Sequence, residues 1–145
     1  GYLNPTGGFL GQFLQSSESK RLVESAPDNC IFTGYVDDIA GAFAAGDIFY
    51  FPTHNENEGM ALLEAMSTGV PPVIRGIDTY DWLDDGETCL KADSVAGFET
   101  ALRALIDDPE ERARIGQNAR TETERFTLDT VGDQLVALYR DLTDA

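Results

Sequence analysis

Residues 47–75, DIFYFPTHNENEGMALLEAMSTGVPPVIR, run from a β-rich segment through an acidic loop and a helical segment into a second β-rich segment. Pro52 stops the first apolar run, because proline cannot donate to a ladder. Gly69, with Pro71 and Pro72 beyond it, stops the helix. A strand, a helix and a strand joined by short connections pack as parallel neighbours, with the helix crossing one face of the sheet. The alternation continues in both directions. Upstream lie the apolar run CIF at 30–32, a turn at Thr33-Gly34 and the helically spaced DDIAGAFAAG. Downstream, TCLKA at 88–92 is a fourth candidate strand, and helices are predicted over about 94–107, 109–125 and 127–143. The expectation is an α/β fold with a Rossmann-like parallel sheet of four strands and flanking helices.

A chain of 145 residues suits one domain that buries about two thirds of its unfolded surface. Eight Phe, five Tyr and one Trp supply apolar surface that disordered chains lack. Residues 1–29 differ from the rest: Gly1, Gly7, Gly8, Gly11 and Pro5 break any period, and QSSESKRLVESAPDN offers at most one short helix. The expected organisation is a poorly defined N-terminal segment of a truncated domain over 1–29 and a folded domain over 30–145.

Twenty-six Asp and Glu oppose ten Lys and Arg, a formal net charge of -16, and only Lys20 and Lys91 are lysines. Such a charge repels nucleic acid and anionic membrane surfaces. Dispersed carboxylates with so little lysine are the balance expected of a halophile's protein, since salt screens the self-repulsion over about 3 Å at 1 M; an ordinary acidic mesophilic protein is the alternative. Cys30 and Cys89 stand apart, without a C-x-x-C or neighbouring His, and read as buried free thiols rather than metal ligands or a disulfide framework. No apolar run reaches the length of a membrane span and no basic n-region opens the chain, so a cytoplasmic location is expected.

Ligands of open parallel sheets bind beyond the carboxyl ends of the strands, which directs attention to the loop after Phe51. That loop places Glu56 and Glu58 just before a helix whose first residues are Gly59, Met60 and Ala61. A helix start opened by glycine presents converging N–H donors and the positive end of the dipole, and so can cradle a phosphate. Acidic residues also stabilise any helix start, which by itself would account for Glu58. Glu64 is expected inside an apolar helix, where a buried carboxylate must find partners. Arg75, at the end of the next strand, reads as an outward salt-bridging residue, with a phosphate contact as the other option, and His54 as a structural loop histidine.

ENEGMALLE, residues 56–64, followed by AMSTGVPPVI, resembles the E-x7-E signature and trailing AMA-x-G-x-PVV of the retaining family 4 glycosyltransferases with the GT-B fold. IFTGYVDDIAGAFAAGDIFYFPT and LIDDPEERARIGQNAR are similar to further segments of that family, so the resemblance covers roughly residues 30–143. The ENEG form with APDNCIFTGYVDDI upstream is most similar to members that glucosylate diacylglycerol. The resemblance implies a donor-binding domain that takes a hexose from a nucleoside diphosphate sugar, with retention and without a metal or other cofactor. Glu56 would face the donor sugar and support positive charge at the anomeric carbon. Glu64 would bind the ribose hydroxyls, and the amides of Gly59, Met60 and Ala61 would meet the diphosphate and sugar. Tyr35 would lie near the base, although a core or rim tyrosine is the plainer reading.

The family's G-R-x-x-x-x-K-G segment, whose Arg and Lys clamp the diphosphate, and its acceptor domain do not appear in this sequence. The resemblance therefore implies an acceptor, lipid or glycan, bound by an N-terminal domain outside the chain, with activity depending on that part and peripheral contact with the inner membrane face. Unpaired sheet edges would favour self-association. The competing readings are a non-catalytic nucleotide-sugar-binding or assembly module and a sugar-nucleotide 2-epimerase; the ENEGMALLEAM run fits transferases better. The C-terminal helix carries Leu128, Val131, Leu135, Leu138, Tyr139 and Leu142 at helical spacing and is expected to pack on the domain core.

Overall fold

The computed structural model describes residue 21 and residues 23–143. The chain divides into two units, residues 1–39 and 40–145. In the first, residues 30–36 carry no regular secondary structure. The strand expected at Cys30–Phe32 is therefore absent, which corrects the count of four. In a doubly wound sheet of order 3-2-1-4-5-6, the third strand pairs only with the second, and no described segment takes that place. Cys30 is exposed, against the expectation of a buried thiol, whereas Cys89 is buried.

The second unit is built on three parallel strands, β1 (Phe49–Phe51), β2 (Pro72–Arg75) and β3 (Leu90–Ala92), in the order β1-β2-β3. Helix α1 (Ile39–Ala44) precedes β1, α2 (Met60–Ser67) links β1 to β2, and a 3-10 turn, Asp78–Tyr80, follows β2. After β3 come α3 (Val95–Asp107), α4 (Pro109–Glu122), a second 3-10 turn (Thr123–Phe126) and α5 (Leu128–Thr143). Local chemistry sets the boundaries. Ser94 caps α3 by accepting from the Gly97 amide, and Asp108 caps α4 by accepting from the amides of Glu110 and Glu111, with Pro109 in the first turn.

The period-2 alternation of the strands divides the core. Register aligns Phe51, Ile74 and Lys91 on one face and Tyr50, Val73 and Leu90 on the other. The first face packs Ile74 with Leu62 and Met66 of α2, Tyr80, Leu83, Cys89 and Ala119, with Phe49 and Phe51 against them. The second packs Val73 with Ala92, Phe98, Leu105 and Ile115. Tyr50 meets Phe98 edge-to-face at 5.3 Å.

Arg75 lies on this second face, its guanidinium over the Phe98 ring. It donates to the carbonyls of Pro52 (3.3 Å) and Asp93 (3.1 Å), tying the carboxyl ends of β1 and β3 together. The outward salt bridge expected of Arg75 is replaced by these carbonyl contacts.

Helix α5 departs further from expectation. None of its residues is buried, and Leu128, Val131, Leu135, Leu138, Tyr139 and Leu142 are exposed. Its apolar stripe is helically spaced as predicted, but it does not enter either core. Its nearest connection is the 3-10 turn, where Thr130 Oγ1 donates to the Glu124 carbonyl at 3.1 Å. No helix among the described residues is long and apolar enough to cross a membrane.

Helix α4 closes over the end of α2 at a point that admits only glycine. A Cβ at Gly116 would lie 2.2 Å from the Gly69 carbonyl oxygen and 3.2 Å from the Pro71 ring. Both obstacles belong to backbone or a rigid ring, so neither can turn aside. Gly116→Ala is expected to destabilise the folded protein by about 3 kcal/mol, at the high end for overpacking; urea unfolding checks it, and Ala113→Gly on the same helix serves as the control.

Candidate functional site at the carboxyl edge of the sheet

The loop 52–59 leaves the carboxyl end of β1 and delivers the chain to α2, so Glu56 stands at the edge where the sequence placed it. Glu56 is half-buried, and its Oε1 accepts from the Asn57 amide at 3.0 Å. Thr53 Oγ1 donates to the Asn55 carbonyl at 2.9 Å, which tightens the start of the loop. Glu58 and His54 are exposed.

Gly59 is the N-cap of α2, at φ 74 and ψ 46, in the left-handed region that favours glycine. No side chain caps the helix, and no acidic residue lies in its first turn. The first backbone bonds run from the Leu62 (2.8 Å) and Leu63 (3.1 Å) amides back to the Gly59 carbonyl. The amides of Gly59, Met60 and Ala61 thus precede the ladder, at the positive end of the helix dipole.

Helical spacing turns Leu62, Ala65 and Met66 inward and leaves Met60, Glu64 and Ser67 exposed on the outer face. The expectation of a buried Glu64 is thereby corrected: the helix is apolar in composition, but Glu64 stands four residues after exposed Met60 and shares its face. Residues 56–64 are brought together on one loop and one helix. Tyr35 lies in the other unit and is 84% exposed, which rules out a core role for it.

The sequence reading missed the Asp78–Tyr80 turn. Thr79 Oγ1 donates to the Glu56 carbonyl at 3.0 Å. Tyr80 is 0% exposed, and its ring lies so close under Gly59 that a Cβ there would stand 2.9 Å from the phenol oxygen. The phenol is buried without a hydrogen-bond partner, an arrangement that costs about 1–3 kcal/mol. Burial, and secondarily the negative charge of Glu56, push the phenol up to about 12, so it remains a protonated donor at neutral pH. The available signal was an aromatic residue with a polar end in the loop just beyond the carboxyl end of β2.

Comparison with known proteins agrees with this architecture. The family model "Glycosyl transferases group 1" matches residues 10–122. The processive diacylglycerol alpha-glucosyltransferase of Acholeplasma laidlawii is 28% identical over 138 residues, covering 93% of this chain and 41% of that protein. A sulfoquinovosyl transferase of Arabidopsis thaliana is 35% identical over 126 residues, covering 81% of this chain and 24% of its own length. A D-inositol 3-phosphate glycosyltransferase of Corynebacterium kroppenstedtii is 32% identical over 108 residues, 72% of this chain and 24% of that one. The chain thus spans less than half the length of these relatives. Among solved structures, sucrose-phosphate synthase from Thermosynechococcus elongatus superposes with a TM-score of 0.77 at 22% identity, covering 88% of this chain and 35% of that one. The expected α/β, Rossmann-like parallel sheet with flanking helices is found, with three strands among the described residues in place of four. On the match over residues 10–122, this chain belongs to the glycosyl transferases group 1 family.

Proposed function

We propose that the chain supplies the donor side of a retaining glycosyltransferase, binding a nucleoside diphosphate hexose at the start of α2. The observation that carries this reading is the uncapped, glycine-opened helix start at the carboxyl edge, with half-buried Glu56 immediately before it and Glu64 one turn inside. Backbone amides at such a position suit a diphosphate, whose charge the helix dipole favours. The same amides offset the repulsion between the diphosphate and the carboxylates of Glu56 and Glu58.

In this reading Glu56 accepts hydrogen bonds from the donor sugar and stabilises positive charge as the bond from the anomeric carbon to the diphosphate breaks. The acceptor oxygen attacks on the face the diphosphate leaves, giving retention. Glu64, exposed to solvent, takes the ribose hydroxyls. The acceptor, a lipid or a glycan, is bound by other parts of a longer protein, and closure around both substrates excludes water. A lipid acceptor fits the likeness to the diacylglycerol glucosyltransferase and would place the enzyme peripherally at the inner membrane face. The acidic surface, with a net charge of -16, fits a haloarchaeal cytoplasm.

Two measurements test these proposals. In the full-length protein, assayed with UDP-glucose or GDP-mannose and a diacylglycerol or sugar acceptor, Glu56→Gln is expected to lower kcat about 100-fold with little change in donor KM. Glu64→Gln is expected to raise donor KM and spare kcat, because ribose contacts are equal in ground and transition states; equal losses in both parameters for both variants would contradict the roles. The melting temperature is expected to rise steeply between ~0.1 and ~2 M KCl, more than for a near-neutral control domain. A flat response would return the charge to an ordinary acidic protein.

A further inference from the structure

The Asp78–Tyr80 turn meets the Glu56 loop at two points, although more than twenty residues separate them in the chain. One is the Thr79 hydroxyl on the Glu56 carbonyl at 3.0 Å. The other is the Tyr80 ring under Gly59, where a Cβ would stand 2.9 Å from the phenol oxygen and 3.0 Å from the ring edge. Tyr80 is itself fixed. Its amide donates to the Ile77 carbonyl at 2.8 Å, its carbonyl accepts from Lys91 Nζ at 2.8 Å, and its ring packs with Leu62, Met66 and Ile74.

A fully buried hydroxyl without a partner is uncommon in folded proteins. Here it lies beside a loop whose half-buried carboxylate, Glu56, engages the Asn57 amide through Oε1. An ionised carboxylate offers about four acceptor positions, so capacity for a further donor remains. The phenol oxygen is buried without a partner, and Glu56, on the loop that packs over it, is the charged group that acts on it.

We propose that Tyr80 is a positioning residue for Glu56: when donor binds, its phenol donates to the Glu56 carboxylate and fixes the carboxylate's orientation toward the sugar. The inference rests on the reading of Glu56 as the residue that faces the donor sugar. Burial and the charge of Glu56 keep the phenol protonated well above neutral pH, which suits a permanent donor. The ring and the hydroxyl then have separate duties. The ring supports the left-handed turn at Gly59, and the hydroxyl orients the side chain that stands three residues earlier.

The test compares Tyr80→Phe, Glu56→Gln and the double variant in the full-length protein, assayed with UDP-glucose or GDP-mannose and the same acceptors. Phenylalanine keeps the ring under Gly59 and removes only an unpartnered hydroxyl, so the melting temperature is expected to hold or rise. The proposal expects Tyr80→Phe to lower kcat roughly 10- to 100-fold, the scale of a misplaced reacting group, with donor KM changed less than about twofold. In the Glu56→Gln background the same substitution should change kcat no further, the non-additivity of two groups acting as one. A wild-type kcat in Tyr80→Phe, an equal loss in both backgrounds, a loss confined to KM, or a melting temperature lowered by more than about 5 °C would each overturn the proposal. Wild-type kcat in Glu56→Gln would instead overturn the donor-site reading on which it rests.

Discussion

The carboxyl edge of this domain depends above all on the close packing of the Tyr80 ring beneath Gly59. The phenol oxygen stands 2.9 Å from where a Cβ would be, so the left-handed turn at φ 74 is both chemically permitted and sterically required to be glycine. With the turn pressed onto the ring, α2 begins at Met60 without a side-chain cap, and the Thr79 hydroxyl ties the Glu56 carbonyl to the Asp78–Tyr80 turn. Proline at 52 and glycine at 59 shape the loop, the loop sets the helix start, and the helix start presents the donors proposed to meet a diphosphate.

That contact is held in place by the sheet beneath it. Val73 and Ile74, both 0% exposed, send their side chains to opposite faces of β2, so the two cores are built from adjacent residues of one strand. Tyr80 is anchored to β3 through Lys91 and to α2 through Leu62 and Met66. Behind α2, the approach of Gly116 to the Gly69 carbonyl lets α4 close over the end of that helix. A loosening at either glycine would be transmitted to the helix start, because close-packed interiors move as units. Among the described residues no carboxylate is buried, so their surplus opposes the folded state by self-repulsion and leaves the two cores untouched.

The elements with strong period were legible in the sequence. The helices at 95–107 and 109–122 fall within a few residues of expectation because capping residues, Ser94 and Asp108, mark their starts. The strand expected at Cys30–Phe32 was a misreading of a short apolar run, since β-rich composition does not supply a neighbour to pair with. Glu64 was misplaced for a different reason: the apolar content of α2 hid the face on which that residue stands, which a count of helical spacing from Met60 would have shown. The exposed stripe of α5 matches its predicted period, and its exposure could not have been read from the stripe, because spacing reports a face and not what covers it. Tyr80 is hard to read from the sequence because its role arises from a contact between loops distant in sequence, and its place just beyond the carboxyl end of β2 is the one local signal.

Donor binding as proposed requires that the amides opening α2 receive the diphosphate. Hydrogen exchange at the amides of Gly59, Met60 and Ala61, measured in the full-length protein with and without UDP or GDP, tests it most directly. Whichever nucleotide binds is expected to slow exchange at these amides, which precede the helical ladder and lack side-chain caps. Saturating binding that leaves their exchange unchanged would contradict it.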